Sequence, residues 1–592
     1  MARSKKKRNR GEQPVAEPAA ETGETDIEHR ASPEIEGMVA AASLPVLLML
    51  PFLSKAYHVD DPLFVWTAKQ IVNNPWDFYG FMTNWETTRT HMYEVMQNPP
   101  LLSYFLAFFG QYRGWEEAAM HQSMLIPTAL AGLGLYMVTT LWCSRPFLAT
   151  MIGLSTPAFL VSASQVMSDV PMVACWLWAM YLWQRGLDKG SPWQLVTAGV
   201  LIGAGALTKY YALSLVPLLG AYTVLQGKDQ YKNLAYLLIP MAVLFAFEFY
   251  TYRLYNLGLL LDAASFASEH RTEQGVSPII KTATTLVFMG GCLATTLFLA
   301  PCMWSWRGVA ILAGSVLGVF VLMLVAPGLR ALESVPYLSI HDVANDLYQE
   351  RYKDPGALQL FQWSLWFVGG VHVFYLAARA IHRDRNAETL ILLLWLGGTF
   401  TFTAYLNHHV NARVILPMFA AASILIVRTL VANGHEARSW RGGLASYAVV
   451  VLGFVFSLVL CVADFQLANS ARLAASTIME KTEFGQVYFS GHSGFQYYME
   501  ELGAEAIDKQ RSKALPGDYY VLPANNWFPV LLDKPFVHEE RVERFEVNSF
   551  VTTSHYEYYA GFYSDYSGRL PFVFGAIPDE EYLVLKLERL VR

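Results

Sequence analysis

Thirteen apolar runs dominate this chain, at 38–54, 119–142, 147–165, 170–185, 193–208, 210–226, 233–255, 282–301, 306–326, 359–380, 388–406, 411–431 and 443–465. Each holds few or no charges over 16 to 24 residues, which matches the length a helix needs to cross a hydrocarbon layer of about 30 Å. Backbone polar groups in hydrocarbon have to be satisfied inside the segment, so runs of this kind fold as helices. Charged residues make up only 16% of the chain against 54% hydrophobic, too few to coat several water-soluble domains. The sequence therefore predicts an all-α polytopic membrane bundle of about thirteen transmembrane helices. The run 99–110 is too short to span and predicts an interfacial or re-entrant helix.

Basic residues orient the bundle. Residues 1–35 open with Lys5-Lys6-Lys7-Arg8 and Arg10, followed by a Glu, Pro and Ala mixture that cannot bury a core; this reads as a disordered cytoplasmic tail. Short connections carrying Arg145, Arg185 with Lys189, Lys228 with Lys232, Arg307, Arg379 with Arg383 and Arg385, and Arg438 with Arg441 fall on the tail's side, as the positive-inside rule requires. Residues 36–465 then form the membrane domain, with 55–118 as a first external loop bearing interfacial helices and with 256–281 and 327–358 as further external loops. Residues 466–592 have soluble composition and predict an extracytoplasmic α/β domain, with strands at Val487-Tyr-Phe-Ser and Tyr519-Tyr-Val-Leu-Pro and a helix from Gly494 to Leu502.

Several chemistries are excluded. A formal charge of −6 with no basic face argues against nucleic-acid binding. The five cysteines have neither zinc spacing nor a disulfide framework. No phosphate-binding Gly-x-x-x-x-Gly-Lys-Ser/Thr loop, no Gly-x-Gly-x-x-Gly and no His-Glu-x-x-His occurs. Asp-x-Asp, which would clamp a nucleotide sugar through a metal, is also missing.

The candidate chemistry lies at the external ends of the runs. Asp60 and Asp61 follow the first run: one carboxylate can take a proton while its neighbour orients it or raises its basicity, or the pair can simply turn and cap the chain leaving the bilayer. Asp169, in Ser168-Asp169-Val-Pro171, is either a buried acid of the site or part of a helix cap. Lys209 is placed to hold a lipid phosphate or to snorkel to headgroups. His408, His409 and Arg413 share an external turn, where an arginine needs a local anionic reason. Arg271, beside His270, is a similar candidate. Two adjacent histidines with no nearby carboxylate do not make a metal set, so no metal or other cofactor is expected.

In order and sidedness these residues resemble the GT-C glycosyltransferases that use polyprenyl-phosphate sugars, in particular bacterial relatives of the protein O-mannosyltransferases and of the lipid A aminoarabinose transferase. The matching features are Asp60-Asp61, Asn98-Pro-Pro-Leu101, Ser168-Asp169-Val-Pro171, Gly205-Ala-Leu-Thr-Lys209 and Asn411-Ala-Arg-Val-Ile-Leu-Pro417, within residues 38–430. The resemblance implies an inverting sugar transfer from a polyprenyl-phosphate donor to an extracytoplasmic lipid, protein or glycan acceptor, in a bacterial inner or plasma membrane. It also implies that Asp60, with Asp61 beside it, activates the acceptor, that Asp169 supports the site, and that Lys209 lies near the lipid phosphate; Arg271, His408, His409 and Arg413 are then expected to line the substrate. The pair is Asp-Asp where the family usually has Asp-Glu, and Leu63-Phe64 stands where the lipid A enzymes carry Arg-Tyr, so sugar and acceptor stay open. The alternative is a transporter or flippase for an anionic or sugar-bearing lipid, with Asp169 and Lys209 as pathway charges.

Overall fold

The structure is a computed structural model and describes residues 31–85, 87–273, 276–326, 336–337, 351–352, 355–433, 440–482, 484–526, 536–548 and 550–590. The basic tail, apart from residues 31–35, and most of the 327–358 loop lie outside the described residues.

Every one of the thirteen apolar runs is largely helical. Among the described residues, seven helices are long and apolar enough to cross a membrane: Ile35–Phe52, Glu117–Trp142, Lys228–Tyr255, Trp306–Val325, Ala357–Arg383, Ala387–Leu406 and Leu444–Lys481. This is an integral membrane protein. The expected count of about thirteen spans is not confirmed, because several runs are broken or short. Pro146–Leu154 and Pro157–Ala163 meet at 63°, where Pro157 lacks the N–H that would continue the helix. Pro192–Thr208, Tyr210–Leu225 and Met418–Ala432 are apolar but short. The run 282–301 divides at Leu293 and Leu299.

Helix α1 (Ile35–Met49) leads through a short 3-10 turn to α2 (Asp61–Asn73), and α3 (Leu101–Arg113) packs on α2. As expected for a non-spanning helix, α3 buries Leu102, Leu106 and Gly110 at four-residue intervals and leaves Phe108 and Tyr112 exposed. Two helices run through the bundle interior, α4 (Glu117–Trp142) and α5 (Asp169–Lys189), the latter burying Val173, Trp176, Leu177, Met180 and Trp183. The last membrane helix, α6 (Trp440–Lys481), continues without a break out of its apolar stretch. Its final turns place Ala474, Ala475 and Ile478 in the core of the C-terminal sheet with Val487, Phe489, Val521 and Val584.

That sheet joins β1 (Val487–Phe489), β2 (Glu505–Ala506), β3 (Tyr519–Pro523), β4 (Phe536–Phe545) and β5 (Glu580–Leu590) in the order β2-β1-β3-β5-β4. The β1 pairings are parallel and those of β5 are antiparallel, with Val584 opposite Val521 and Arg541. Helix α7 (Ser493–Glu501) follows β1, as the sequence predicts.

The C-terminal α/β region also contributes side chains to the bundle core. Between β4 and β5 the chain leaves the sheet and enters the bundle, where Val551, Phe562, Tyr563, Leu570, Phe572 and Val573 join the main hydrophobic core. Gln362 fastens this excursion by exchanging two 2.8 Å hydrogen bonds with the Phe574 backbone. Alternating polarity reveals a strand, but nothing local in 551–577 says which surface its aromatics will meet.

Candidate active site

The site is assembled where four chain segments meet at one end of the bundle. The first follows α1. Lys55 is fully buried in an ion pair with Asp464 of α6, and the chain then turns at Val59, whose φ is +49°. A β-branched residue in the left-handed region stores on the order of 1–3 kcal/mol of strain, and here it immediately precedes Asp60. The turn is held from below by Asp61, whose Oδ2 accepts the His58 N–H at 2.9 Å and whose Oδ1 accepts the Val166 N–H at 3.0 Å. Burial pushes the Asp61 carboxyl up to about 7, against the opposing pull of Lys55 and those two donors.

Asp60 behaves differently from its neighbour. It occupies the N-cap position of α2 but makes no side-chain capping bond. Its Oδ2 instead accepts from Arg413 Nη1 at 2.8 Å. Arg413 comes from the short helix Ala412–Ile415, whose first turn is capped by Asn411 accepting the Val414 N–H at 2.9 Å. The same Nη1 lies 3.0 Å from Met167 Sδ, two residues before Asp169. Asp169, 1% exposed at the start of α5, accepts from Lys209 Nζ at 2.6 Å. Both Asp60 and Asp169 act electrostatically on Arg413. The result is one alternating row, Asp60, Arg413, Asp169, Lys209, drawn from residues up to 353 positions apart.

The histidines flank this row. His409 has both ring nitrogens buried with no hydrogen-bond partner among the described residues, and Arg413 Nε is likewise unpartnered. Burial pushes His408 down to about 4, helped by His270, Lys281 and Arg413, and lowers His409 further, so both rings are neutral near pH 7. Lys281, which the sequence reading passed over, donates to the His408 carbonyl at 2.8 Å. Among the described residues, no group of three or more His, Cys, Asp or Glu side chains could hold a metal ion.

Asp61 and Arg271 stand outside the row of paired charges. Asp61 faces inward with both oxygens accepting from backbone amides, so it shapes the turn that carries Asp60. Arg271 donates to the Tyr405 carbonyl at 2.7 Å, closing the turn before Asn407, and pairs with neither acid of the row. A deeper network escaped the sequence reading: Asp464 collects hydrogen bonds from Lys55, Gln165, Thr553 and Tyr563. Its signal was present, an aspartate inside the last apolar run.

A further cleft of about 470 Å³ lies between the second half of α2 and the C-terminal sheet, lined by Trp66, Lys69, Asn84, Arg89, Glu500 and Arg511 among others.

Residues 97–250 match the family model described as dolichyl-phosphate-mannose-protein mannosyltransferase. The matched segment contains Asp169 and Lys209 but neither Asp60 nor Arg413. No curated protein sequence matches the chain. Among solved structures, the Archaeoglobus fulgidus oligosaccharyltransferase tethered with an acceptor peptide aligns at 14% identity and a TM-score of 0.45, over 80% of this chain and 64% of that one. This chain therefore spans less than two thirds of that protein. The archaeal oligosaccharyltransferase AglB from Archaeoglobus fulgidus, in complex with an inhibitory peptide and a dolichol-phosphate, aligns at 15% identity and 0.45, covering 82% and 69%. ArnT from Cupriavidus metallidurans, bound to undecaprenyl phosphate, aligns at 13% identity and 0.40, covering 83% and 94%.

Proposed function

We propose, from the family match over residues 97–250 and the row of paired charges, that this membrane protein is an inverting glycosyltransferase. It moves a sugar from a polyprenyl-phosphate donor to a lipid, protein or glycan acceptor on the extracytoplasmic side. The amino terminus is then cytoplasmic, and the membrane is the inner or plasma membrane of a bacterium.

The single observation that carries this reading is the Asp60–Arg413 pair standing beside the Asp169–Lys209 pair. Transfer needs a base for the acceptor proton and cations for the departing phosphate, placed on either side of one carbon. The Asp60 side chain, 29% exposed, is the acid open enough to meet an acceptor, whereas the Asp169 side chain is buried. The acceptor oxygen forms its bond to the anomeric carbon as the bond from that carbon to the phosphate oxygen breaks. The acceptor proton passes to Asp60, and the charge left on the polyprenyl phosphate is met by Arg413 and Lys209. The sugar is already activated by its phosphate link, so no nucleotide is required at the site.

The pairing of the charges adds an order. Each cation is held by an acid, and Arg413 keeps a spare Nε. A lipid phosphate entering the row competes for Arg413 and loosens its hold on Asp60, leaving the base free once the donor is bound. The transporter reading needs charges spaced along a path, whereas these sit together at helix ends. Incubating the purified protein with labelled polyprenyl-phosphate sugars and cell-envelope acceptors tests the reading. Label appearing on an acceptor supports it; donor moved across vesicles with no transfer sinks it in favour of transport.

A further inference from the structure

We infer that Tyr563, supplied by the C-terminal excursion, is a positioning residue that holds Arg413 in the row of charges. This rests on the functional reading above.

Arg413 does not owe its place to its own short helix alone. Its guanidinium lies over the face of the Tyr563 ring, 5.9 Å from the centroid, where a cation is attracted by the ring's negative face. The ring is itself fixed at the other end. Its hydroxyl donates to Asp464 Oδ2 at 2.7 Å and accepts from Gln165. Asp464 is neutralised by Lys55 and bonded on its second oxygen by Thr553 Oγ1 at 2.6 Å, so the anchor joins α6, the Lys55 segment and the excursion. The His58 ring meets the Tyr563 ring edge to face at 5.3 Å, which ties the same tyrosine to the turn carrying Asp60.

The backbone repeats the connection on both sides of Tyr563. The Ala412 N–H donates to the Phe562 carbonyl at 2.9 Å, and the Asp565 N–H donates to the Val410 carbonyl at 2.9 Å. Asp565 Oδ1 accepts the Val410 N–H in return, also at 2.9 Å. Neighbours of Tyr563 thus grip the residues before Arg413, while the tyrosine ring lies under its charged end. The C-terminal region is in this sense a wall of the active site, built from residues about 150 positions away in the chain.

Two full-length variants and a double-mutant cycle test this. Binding of undecaprenyl phosphate, with no sugar attached, is titrated alongside thermal unfolding. Tyr563→Leu removes the ring and should weaken binding about tenfold, the size of one partly desolvated cation–ring contact. Tyr563→Phe keeps the ring but loses its anchor and should weaken binding about threefold. Both losses should vanish in an Arg413→Gln background, because a residue acting through Arg413 has nothing left to position. A folded Tyr563→Phe or Tyr563→Leu protein binding as tightly as the unaltered one overturns the inference, as do losses that add in full to that of Arg413→Gln. Should Tyr563→Leu not fold, Tyr563→Phe decides. Failure of the unaltered protein to bind the lipid phosphate instead overturns the functional reading itself.

Discussion

Arg413 Nη1 lies 2.8 Å from Asp60 Oδ2, bridging 353 residues of sequence and joining the start of α2 to the Ala412–Ile415 turn. This contact distinguishes Asp60 from Asp61, although the two are adjacent and chemically identical. Asp60 spends its carboxylate on the Arg413 guanidinium and stays partly exposed; Asp61 spends both oxygens on backbone amides.

The first prediction separates the two acids. Asp61→Asn can still accept one of its two backbone donors and should keep transfer within about tenfold of the unaltered rate. Asp60→Asn removes the proton acceptor and should lower kcat by about 10²–10⁴-fold. Steady-state transfer by the two purified variants checks the contrast, and equal losses would mean that Asp60 has no special role.

The second concerns pH and stability. Asp61 in the folded protein holds its proton up to about 7, because burial disfavours its charge; an unfolded carboxyl releases it near ~4. Between those values the folded state binds more protons than the unfolded one, so stability falls as pH rises. Relative to Asp61→Asn, the unaltered protein should lose Tm from about pH 4 to about pH 7 and change little above. Thermal unfolding in detergent across that range measures it, and a difference that grows in the opposite direction would show the carboxyl is held charged.

The third tests the buried pair. Lys55 and Asp464 are both inaccessible to solvent, and removing one partner leaves an uncompensated buried charge, a cost of about 3–5 kcal/mol. Asp464→Asn should therefore lower Tm by several degrees, while adding Lys55→Met to Asp464→Asn, which removes the unpaired charge and keeps a hydrogen-bonding side chain for Gln165, Thr553 and Tyr563, should recover part of the loss. Unfolding scans on the two variants report this directly.

The fourth uses a close approach. A Cβ added at Gly494, in the first turn of α7, would lie 1.8 Å from the Tyr57 carbonyl oxygen. The Tyr57 N–H also donates to Tyr498 Oη at 2.8 Å, so α7 and the turn carrying Asp60 fit with no space between them. Gly494→Ala should displace the turn carrying Asp60 and cut transfer at least tenfold, with the sheet still folded by far-UV circular dichroism. Transfer at the unaltered rate would show that the contact does not set the turn.

The parts of the molecule that were legible in the sequence are those governed by local pattern. Apolar runs locate the helices because a helix satisfies its own backbone, and the short strands at Val487 and Tyr519 show their burial by composition. Asp60, Asp169, Lys209 and Arg413 could be singled out because a charge at the end of an apolar run needs a reason. Pairing between them could not be read, since it depends on how helices pack. The same holds for Asp464 and Tyr563: the first is one aspartate in an apolar helix, and the second lies in a segment whose role is defined only by the bundle it enters. Helix breaks were missed because a run of Leu, Ala and Phe looks alike on either side of Pro157 or Leu293.

One experiment reaches the central claim most directly: undecaprenyl-phosphate binding and sugar transfer measured side by side for Asp60→Asn and Arg413→Gln. Asp60→Asn should bind the lipid phosphate at least as tightly as the unaltered protein and transfer almost nothing. Arg413→Gln should weaken binding and transfer together. Full transfer by Asp60→Asn, or unaltered binding by Arg413→Gln, would contradict the division of labour between base and phosphate cation.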